Sequence, residues 1–212
     1  MNSEYRALVA KVSASADAIG ERRKADITCS AGCSSCCHAW LTVSTVEAEE
    51  LVLALAALPT GEREAVRARG VSELAREALG ESPARCAMLD DDGRCGVYAA
   101  RPLVCRTQGH ALRYPAGLIP SSAIMRTTPK GDVTWCPLNY HAREPNSEDV
   151  LDAERVNQIL AVVAERHATQ HALARHARHA LSALAAQTDV LHDDTARGQN
   201  TAQFERDREL DD

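Results

Sequence analysis

The residues best suited to chemistry are four cysteines within nine positions: Cys29, Cys33, Cys36 and Cys37, followed directly by His38. Thiolate is a soft, charged ligand that suits zinc and iron–sulfur clusters, and a bound metal offsets the repulsion between neighbouring thiolates. We therefore interpret this stretch as a metal-binding loop in which Cys33 and Cys36 have a chelating spacing. Adjacent side chains tend to diverge, so Cys36 and Cys37 serve two different metals or one of them is a buried bystander. His38 is a further candidate ligand.

Four more cysteines are separated from this stretch and from one another by more than a local turn. These are Cys86, Cys95, Cys105 and Cys136. A tetrahedral zinc site or an iron–sulfur cubane takes about four thiolates, so eight ligands indicate either two sites or one site with spare thiols nearby. Four disulfides are the alternative, but the clustered spacing and the lack of a signal sequence favour free thiols in a reducing compartment.

Two motifs in a fixed order resemble a known family. The first runs from Cys29 to Cys37, and the second from Cys86 to Arg106 with the sequence CAMLDDDGRCGVYAARPLVCR. Together they resemble the YkgJ-type cysteine-cluster family, a zinc- or iron-chelating domain related to the flagellin lysine methylases. The resemblance covers roughly residues 25–140 and implies a metal centre, with a link through those methylases to iron–sulfur-dependent methyl transfer. The chain shows no further motif for a methyl donor.

Arginines and histidines are the other candidate site residues. A cluster held by thiolates is net negative, so guanidinium groups beside it stabilise the cluster or hold an anionic substrate. On this basis we predict Arg101 and Arg106 as cofactor-binding residues, whereas ordinary salt bridging is the better interpretation for Arg94. His167 and His171 are four positions apart on a predicted helix and form a possible metal-binding pair, although a flank satisfied by water or a carboxylate is the commoner arrangement.

The elements that must position these residues are mostly helical. Apolar residues at helical spacing predict a first helix over residues 3–22. The S-x-x-E sequence from Ser44 to Glu47 predicts a capping box for a second helix, which ends near Pro59. A third helix is expected from about residue 60 to 79, with Gly80 as its stop. The second and third helices are predicted to form an antiparallel hairpin.

The rest of the chain is predicted to contain little strand. Asp92-Gly93 predicts a short β-hairpin with Cys86 and Cys95 on its arms, and a single strand pair is expected around residues 129–132. A long helix is expected over about residues 147–187, followed by a disordered tail over 191–212. The predicted fold class is mainly α: a single domain over residues 1–190, built around a cysteine-rich, loop-dominated metal centre.

Composition narrows the functional class. Hydrophobic residues make up 45% of the 212 positions but aromatic ones only 3%, which favours helices over a β-sandwich. The formal net charge of −6 argues against a nucleic-acid partner. No apolar run approaches the roughly 20 residues of a transmembrane helix, so we expect a cytoplasmic protein without a membrane partner.

The functional prediction is a cytosolic metal-binding protein whose clustered cysteines hold iron, as a 4Fe–4S cluster, and support redox or group-transfer chemistry. One alternative is a non-catalytic zinc protein whose helices bind a partner. A second is a thiol-based metal chaperone or redox sensor. The sequence leaves open the metal, the protein or small-molecule partner, and whether the protein is an enzyme.

Overall fold

The structure is a computed structural model that describes residues 2–30, 32–115, 126–128 and 132–187. Over these residues the chain is mainly helical, as predicted. Its α-helices are α1 (Ser3–Arg22), α2 (Thr45–Ala56), α3 (Thr60–Ala78), α4 (Leu103–Thr107), α5 (Ala153–Gln170) and α6 (Leu181–Ala186). Its strands are all short: β1 (Thr42–Ser44), β2 (Ala111–Arg113), β3 (Arg126–Thr127), β4 (Val133–Trp135), β5 (Val150–Asp152) and β6 (Arg178–Ala180).

The first three helices begin and end where local sequence signals place them. The side chain of Asn2 caps α1 by accepting a hydrogen bond from the Tyr5 amide at 2.9 Å. The capping box of α2 is present, with Glu47 accepting from the Ser44 amide at 2.9 Å. After α3 the chain turns at Gly80, whose φ of +69° is a conformation that glycine adopts without strain. These contacts confirm the predicted boundaries.

The strands form two small sheets, which is more than the single hairpin and strand pair that the sequence predicts. β1 pairs antiparallel with β6, and the second sheet has the order β3-β4-β2-β5, in which only β2 and β5 are parallel. The strand pair expected around residues 129–132 is confirmed as β3 and β4, although residues 129–131 themselves lie outside the described residues. The predicted hairpin at Asp92-Gly93 is reduced to one bridge, between Leu89 and Cys95.

The predicted long helix over residues 147–187 is wrong. A 3-10 turn at 147–149 and strand β5 precede α5, which starts where the Asp152 side chain accepts from the Arg155 amide at 2.9 Å. After α5 the chain reverses through Ala172 and His176, which have φ values of 53° and 58°. Pairing of β6 with β1 and packing of α6 on α3 then take the place of helix continuation. The tail predicted over 191–212 lies outside the described residues.

Buried apolar residues form a core on each side of α2. One cluster lies among α2, α3 and α6 and includes Leu51, Leu55 and Leu184. The other lies among α1, α2 and α5 and includes Tyr5 and Leu160. No described residue of the loop from Cys29 to Cys37 belongs to either of these cores. The helices therefore form a scaffold that supports this loop. Among the described helices, none is both apolar and long enough to cross a membrane.

Candidate metal centre

The first cysteine motif lies in an irregular loop between α1 and β1. Two tight turns follow each other in it, closed by hydrogen bonds from Cys33 N to Ser30 O at 3.0 Å and from Cys37 N to Ser34 O at 2.8 Å. The Cys36 thiol donates a hydrogen bond to Cys37. All eight cysteines of the chain are free thiols, and Cys136 alone among them is buried as a whole residue.

The second motif returns to the first at Cys86. The Cys86 amide donates to the Cys37 carbonyl at 2.7 Å, and the bridge between Leu89 and Cys95 brings the other hairpin cysteine back beside the same segment. Cys105, in α4, completes this group. The charges of Cys86, Cys105 and Cys95 raise the pKa of Cys37, although the hydrogen bond from Cys36 outweighs them and lowers that pKa overall.

Cys29 and Cys136 meet around one buried asparagine. Asn139 Nδ2 donates to Cys29 Sγ at 3.3 Å, and the Asn139 amide donates to the Cys136 carbonyl at 2.9 Å. Burial raises the pKa of Cys29; the Asn139 hydrogen bond opposes this, while the charges of Cys33, Cys136 and Cys36 add to it. Asn139 is a site residue that the sequence reasoning missed. Its position three residues after Cys136 was the available signal.

Gly109 is the second residue missed. Its φ is +96°, and a Cβ added there would lie 3.0 Å from Cys29 Sγ. Asn139 Nδ2 also donates to the Gly109 carbonyl, at 2.8 Å. A side chain at this position would therefore crowd the Cys29 sulfur and would have to adopt a φ that favours glycine.

Of the three candidate arginines, the structure brings Arg101 to the thiols. Its guanidinium carbon lies 3.5 Å from the centroid of the Tyr98 ring, and its Nη1 donates to the Cys105 carbonyl at 3.4 Å. Its positive charge acts on Cys36, Cys95 and Cys105, lowering the pKa of each against the stronger effects that raise it.

Arg106 interacts with the charge of Cys105 and is also bonded to the backbone of Arg101. Its Nε donates to the Arg101 carbonyl at 2.7 Å, its Nη2 to the Ala99 carbonyl, and its Nη1 to Ser13 Oγ at 3.3 Å. It therefore ties the segment before α4 to α1. The Arg94 side chain is exposed.

The surroundings favour the protonated form of six of the cysteines, whereas the pKa of Cys37 is lowered. Burial raises the pKa of Cys105 to about 12. The pKa of Cys36 is raised first by its hydrogen bond to Cys37 and then by burial, and burial also raises the pKa of Cys86, Cys95 and Cys136. A metal that binds here must therefore displace protons from the thiols. Its positive charge then stabilises the thiolates, which burial has removed from water.

The donor set fits zinc or iron by its chemistry. Every cysteine contributes a soft sulfur donor, and these atoms come from segments that backbone hydrogen bonds already hold together. Within the described ranges, no three Cys, His, Asp or Glu side chains converge on one ion position. Coordination therefore requires the thiols to turn about their single side-chain torsion.

The histidines are engaged elsewhere. His38 Nδ1 hydrogen-bonds to the Ala84 carbonyl. His167 is buried, and its Nε2 lies 2.9 Å from Glu49 Oε2, while its ring centroid is 4.6 Å from that of His171. The pair thus lies on a flank of α5 with His167 beside a carboxylate, and no cysteine contacts it in the hydrogen bonds and ring contacts of the described residues.

Comparison with protein families gives one match. A family model described as "CxxCxxCC: Putative zinc- or iron-chelating domain" matches residues 28–137, which include all eight cysteines and more than half of the chain. No curated protein and no solved structure matches the chain.

Proposed function

Because the chain belongs to the CxxCxxCC family of zinc- or iron-chelating domains, we propose that it binds iron as an iron–sulfur cluster through its cysteines. The observation that supports the proposal is that eight free thiols, from five separate stretches of chain, fall within the matched region, twice the number that one structural zinc takes. The ligands in this proposal are Cys29, Cys33, Cys36, Cys37, Cys86, Cys95, Cys105 and Cys136.

Arg101 supports this assignment by its charge. A thiolate-held cluster is net negative, and the Arg101 guanidinium acts on three of the ligand thiols while stacking on Tyr98 fixes its position. Arg106 adds a second positive charge beside Cys105, and its bond to the Arg101 carbonyl also positions Arg101. A bound cluster would supply one-electron transfer, whose potential depends on such nearby charges.

The test is elemental analysis with visible absorption, on protein made with ample iron and purified without oxygen. We expect brown protein with iron and acid-labile sulfide in similar amounts. Cys33→Ser and Cys95→Ser should each lower the metal content. His176→Ala is the matched control, because His176 is exposed in the turn after α5 and should leave the metal unchanged. Protein without any metal would contradict metal binding itself.

A second variant tests the role of Arg101. Arg101→Gln removes the positive charge, so the reduction potential of the cluster should become more negative while the iron content is retained. Arg94→Gln removes the same charge from an exposed position next to Cys95 in sequence and is the control. Equal potentials in the two variants would contradict a role for Arg101 at the centre.

The second candidate function is a structural zinc site. It is favoured by the irregular backbone of the first motif, whose described residues form two tight turns and no helix or strand between α1 and β1. Metal there would stabilise the loop, and the helices would present a surface to a partner. Colourless protein with stoichiometric zinc, which unfolds when a chelator is added, would decide for this function.

A further inference from the structure

A pocket lies between α1, α2 and the stretch of chain that leads into α4. Its volume is about 430 Å³, which falls within the roughly 300–1,000 Å³ of small-molecule sites. The two helices supply neighbouring positions of one face each, such as Arg6 and Val9 from α1 and Glu50 and Leu53 from α2. The pocket is therefore built on the scaffold helices, and none of its described lining residues is a cysteine.

The charges on the wall of this pocket are mainly positive. Arg6, Arg101 and Arg106 line it, against the single carboxylate of Glu50 among the described lining residues, so the lining has a net charge of +2. Glu50 is already matched, because its Oε1 lies 3.5 Å from Arg6 Nε. The excess positive charge thus comes from Arg101 and Arg106. A concave wall of one sign concentrates the field that attracts an ion of the other sign.

Backbone hydrogen bonds hold these two arginines in place. Arg101 Nε donates to the Tyr98 carbonyl at 3.3 Å and its Nη1 to the Cys105 carbonyl at 3.4 Å, while Arg106 Nε donates to the Arg101 carbonyl at 2.7 Å. A guanidinium has more N–H groups than the described residues accept from either side chain. Both can therefore also donate to carboxylate or phosphate oxygens, whose geometry suits a guanidinium.

The rest of the lining is apolar. Leu53 has 49% of its surface exposed, and Val9, Ala54, Ala99 and Ala100 line the same pocket. An apolar group bound here would remove these side chains from water, which is favourable in proportion to the area covered. A bare ion would leave the apolar part of the pocket in contact with water.

We propose that this pocket binds a small organic anion, with a carboxylate or phosphate head on Arg101 and Arg106 and a short apolar body against Leu53. Arg101 also donates to the Cys105 carbonyl, at 3.4 Å. The bound anion would therefore lie beside the proposed metal centre. The pocket does not need the metal to bind it, so this inference does not rest on the proposed function.

NMR titration of the full chain, purified without oxygen, tests the inference with hexanoate and hexyl phosphate as the probes. We expect at least one of them to bind with a dissociation constant in the millimolar range or below, and comparison of the two distinguishes a carboxylate from a phosphate head. Hexanol lacks the charge, and acetate and inorganic phosphate lack the apolar body, so each should bind at least about tenfold more weakly. Equal binding of any of these three, or no binding of either probe, would overturn the inference.

A pair of variants locates the binding. Leu53→Glu puts a negative charge into the pocket at an exposed position of α2, so the fold should be kept while the better probe binds at least about tenfold more weakly. Val71→Glu makes the same change at a position of α3 that is 53% exposed and does not line the pocket, and it is the control. Equal affinities in the two variants would overturn the site.

Metal analysis of the same samples separates this inference from the proposed function. Leu53→Glu should keep the wild-type metal content while it loses the anion. Protein that binds a probe but contains no metal would uphold the inference and contradict the proposed function. Metal-loaded protein that binds neither probe would do the reverse.

Discussion

Asn139 donates a hydrogen bond from its side-chain amide to the sulfur of Cys29 at 3.3 Å, across 110 positions of sequence. The same side chain donates to the Gly109 carbonyl at 2.8 Å and accepts from the Thr28 amide at 2.9 Å. One fully buried amide therefore fixes three segments around the first cysteine.

Asn139→Ala should lower the free energy of unfolding of the metal-free protein by about 2–3 kcal/mol, because it leaves the Gly109 carbonyl and the Thr28 amide without their partner. Urea unfolding measures this change. Asn157→Ala, at an exposed position of α5, is the control and should change stability by no more than about 0.5 kcal/mol. Similar losses in both variants would contradict the role of Asn139.

The pKa of Cys105 gives the metal-free protein a pH-dependent stability. Burial raises this pKa to about 12, whereas a thiol in the unfolded chain titrates near about 8.5. Between these two pH values the folded state keeps a proton that the unfolded state has released. The free energy of unfolding is therefore unaffected by this group below about pH 8.5, and it falls as the pH rises above that value.

Urea unfolding at several alkaline pH values, with wild type and Cys105→Ala compared, isolates this contribution. The free energy of unfolding, plotted against pH, should fall more steeply for wild type by up to about 1.4 kcal/mol per pH unit. This is the slope that one proton gives. Parallel curves would show that Cys105 titrates alike in the folded and unfolded states.

Glu47 connects the start of α2 to the start of α4, the helix that contains Cys105. Its Oε2 accepts from the Ser44 amide at 2.9 Å and its Oε1 from the Leu103 amide at 3.1 Å. Glutamine offers an oxygen on one side only, so Glu47→Gln should turn its amide group towards one of these donors and cost about 1–3 kcal/mol.

Thermal unfolding checks this prediction, with Glu64→Gln at an exposed position of α3 as the matched control. The control should leave the midpoint almost unchanged. A Glu47→Gln variant as stable as Glu64→Gln would mean that the second carboxylate oxygen contributes nothing.

Two glycines of α3 should respond to alanine in opposite directions. A Cβ on Gly70 would lie 2.6 Å from Ala186 N and 2.8 Å from Ser182 O, so Gly70→Ala should force α6 away and destabilise the protein by about 1–3 kcal/mol. Nothing lies within 4 Å of a Cβ on Gly61, so Gly61→Ala should stabilise α3 by up to about 1 kcal/mol. Chemical denaturation of the two variants measures both signs, and a gain of stability in both would contradict the α3–α6 contact.

Much of the scaffold could be predicted because its signals are local. Apolar spacing in α1, the Ser44–Glu47 capping box and Gly80 after α3 all act within a few residues, and all are found. The family could be identified for the same reason, because the spacing of the cysteines within each motif is a local feature of the sequence.

The C-terminal helix could not be predicted from such signals. Its alanine-rich sequence is compatible with helix throughout, whereas the break after Gln170 depends on β1 and on α3, which lie more than about 90 positions earlier in the chain. Tertiary pairing overrides intrinsic propensity there.

The grouping of the cysteines also lies beyond sequence spacing. Adjacent positions suggested that Cys36 and Cys37 diverge, whereas the Cys36 thiol donates a hydrogen bond to Cys37. The distant segments that reach the loop do so through Asn139 and through the contact between Cys86 and Cys37. Neither contact has a periodic signature. The role of Glu47 was likewise seen only as a cap, because its bond to Leu103 spans 56 positions.

The hydrogen bond from Cys86 to the Cys37 carbonyl also has an evolutionary consequence. This bond joins the two ends of the segment between Cys37 and Cys86. The length of that segment therefore does not set the distances among the thiols. Insertions in the exposed stretch after Gly80 should therefore be inherited without loss of the centre. Among relatives, we expect the number of residues between the two motifs to vary, while the number of residues between the cysteines inside each motif stays constant.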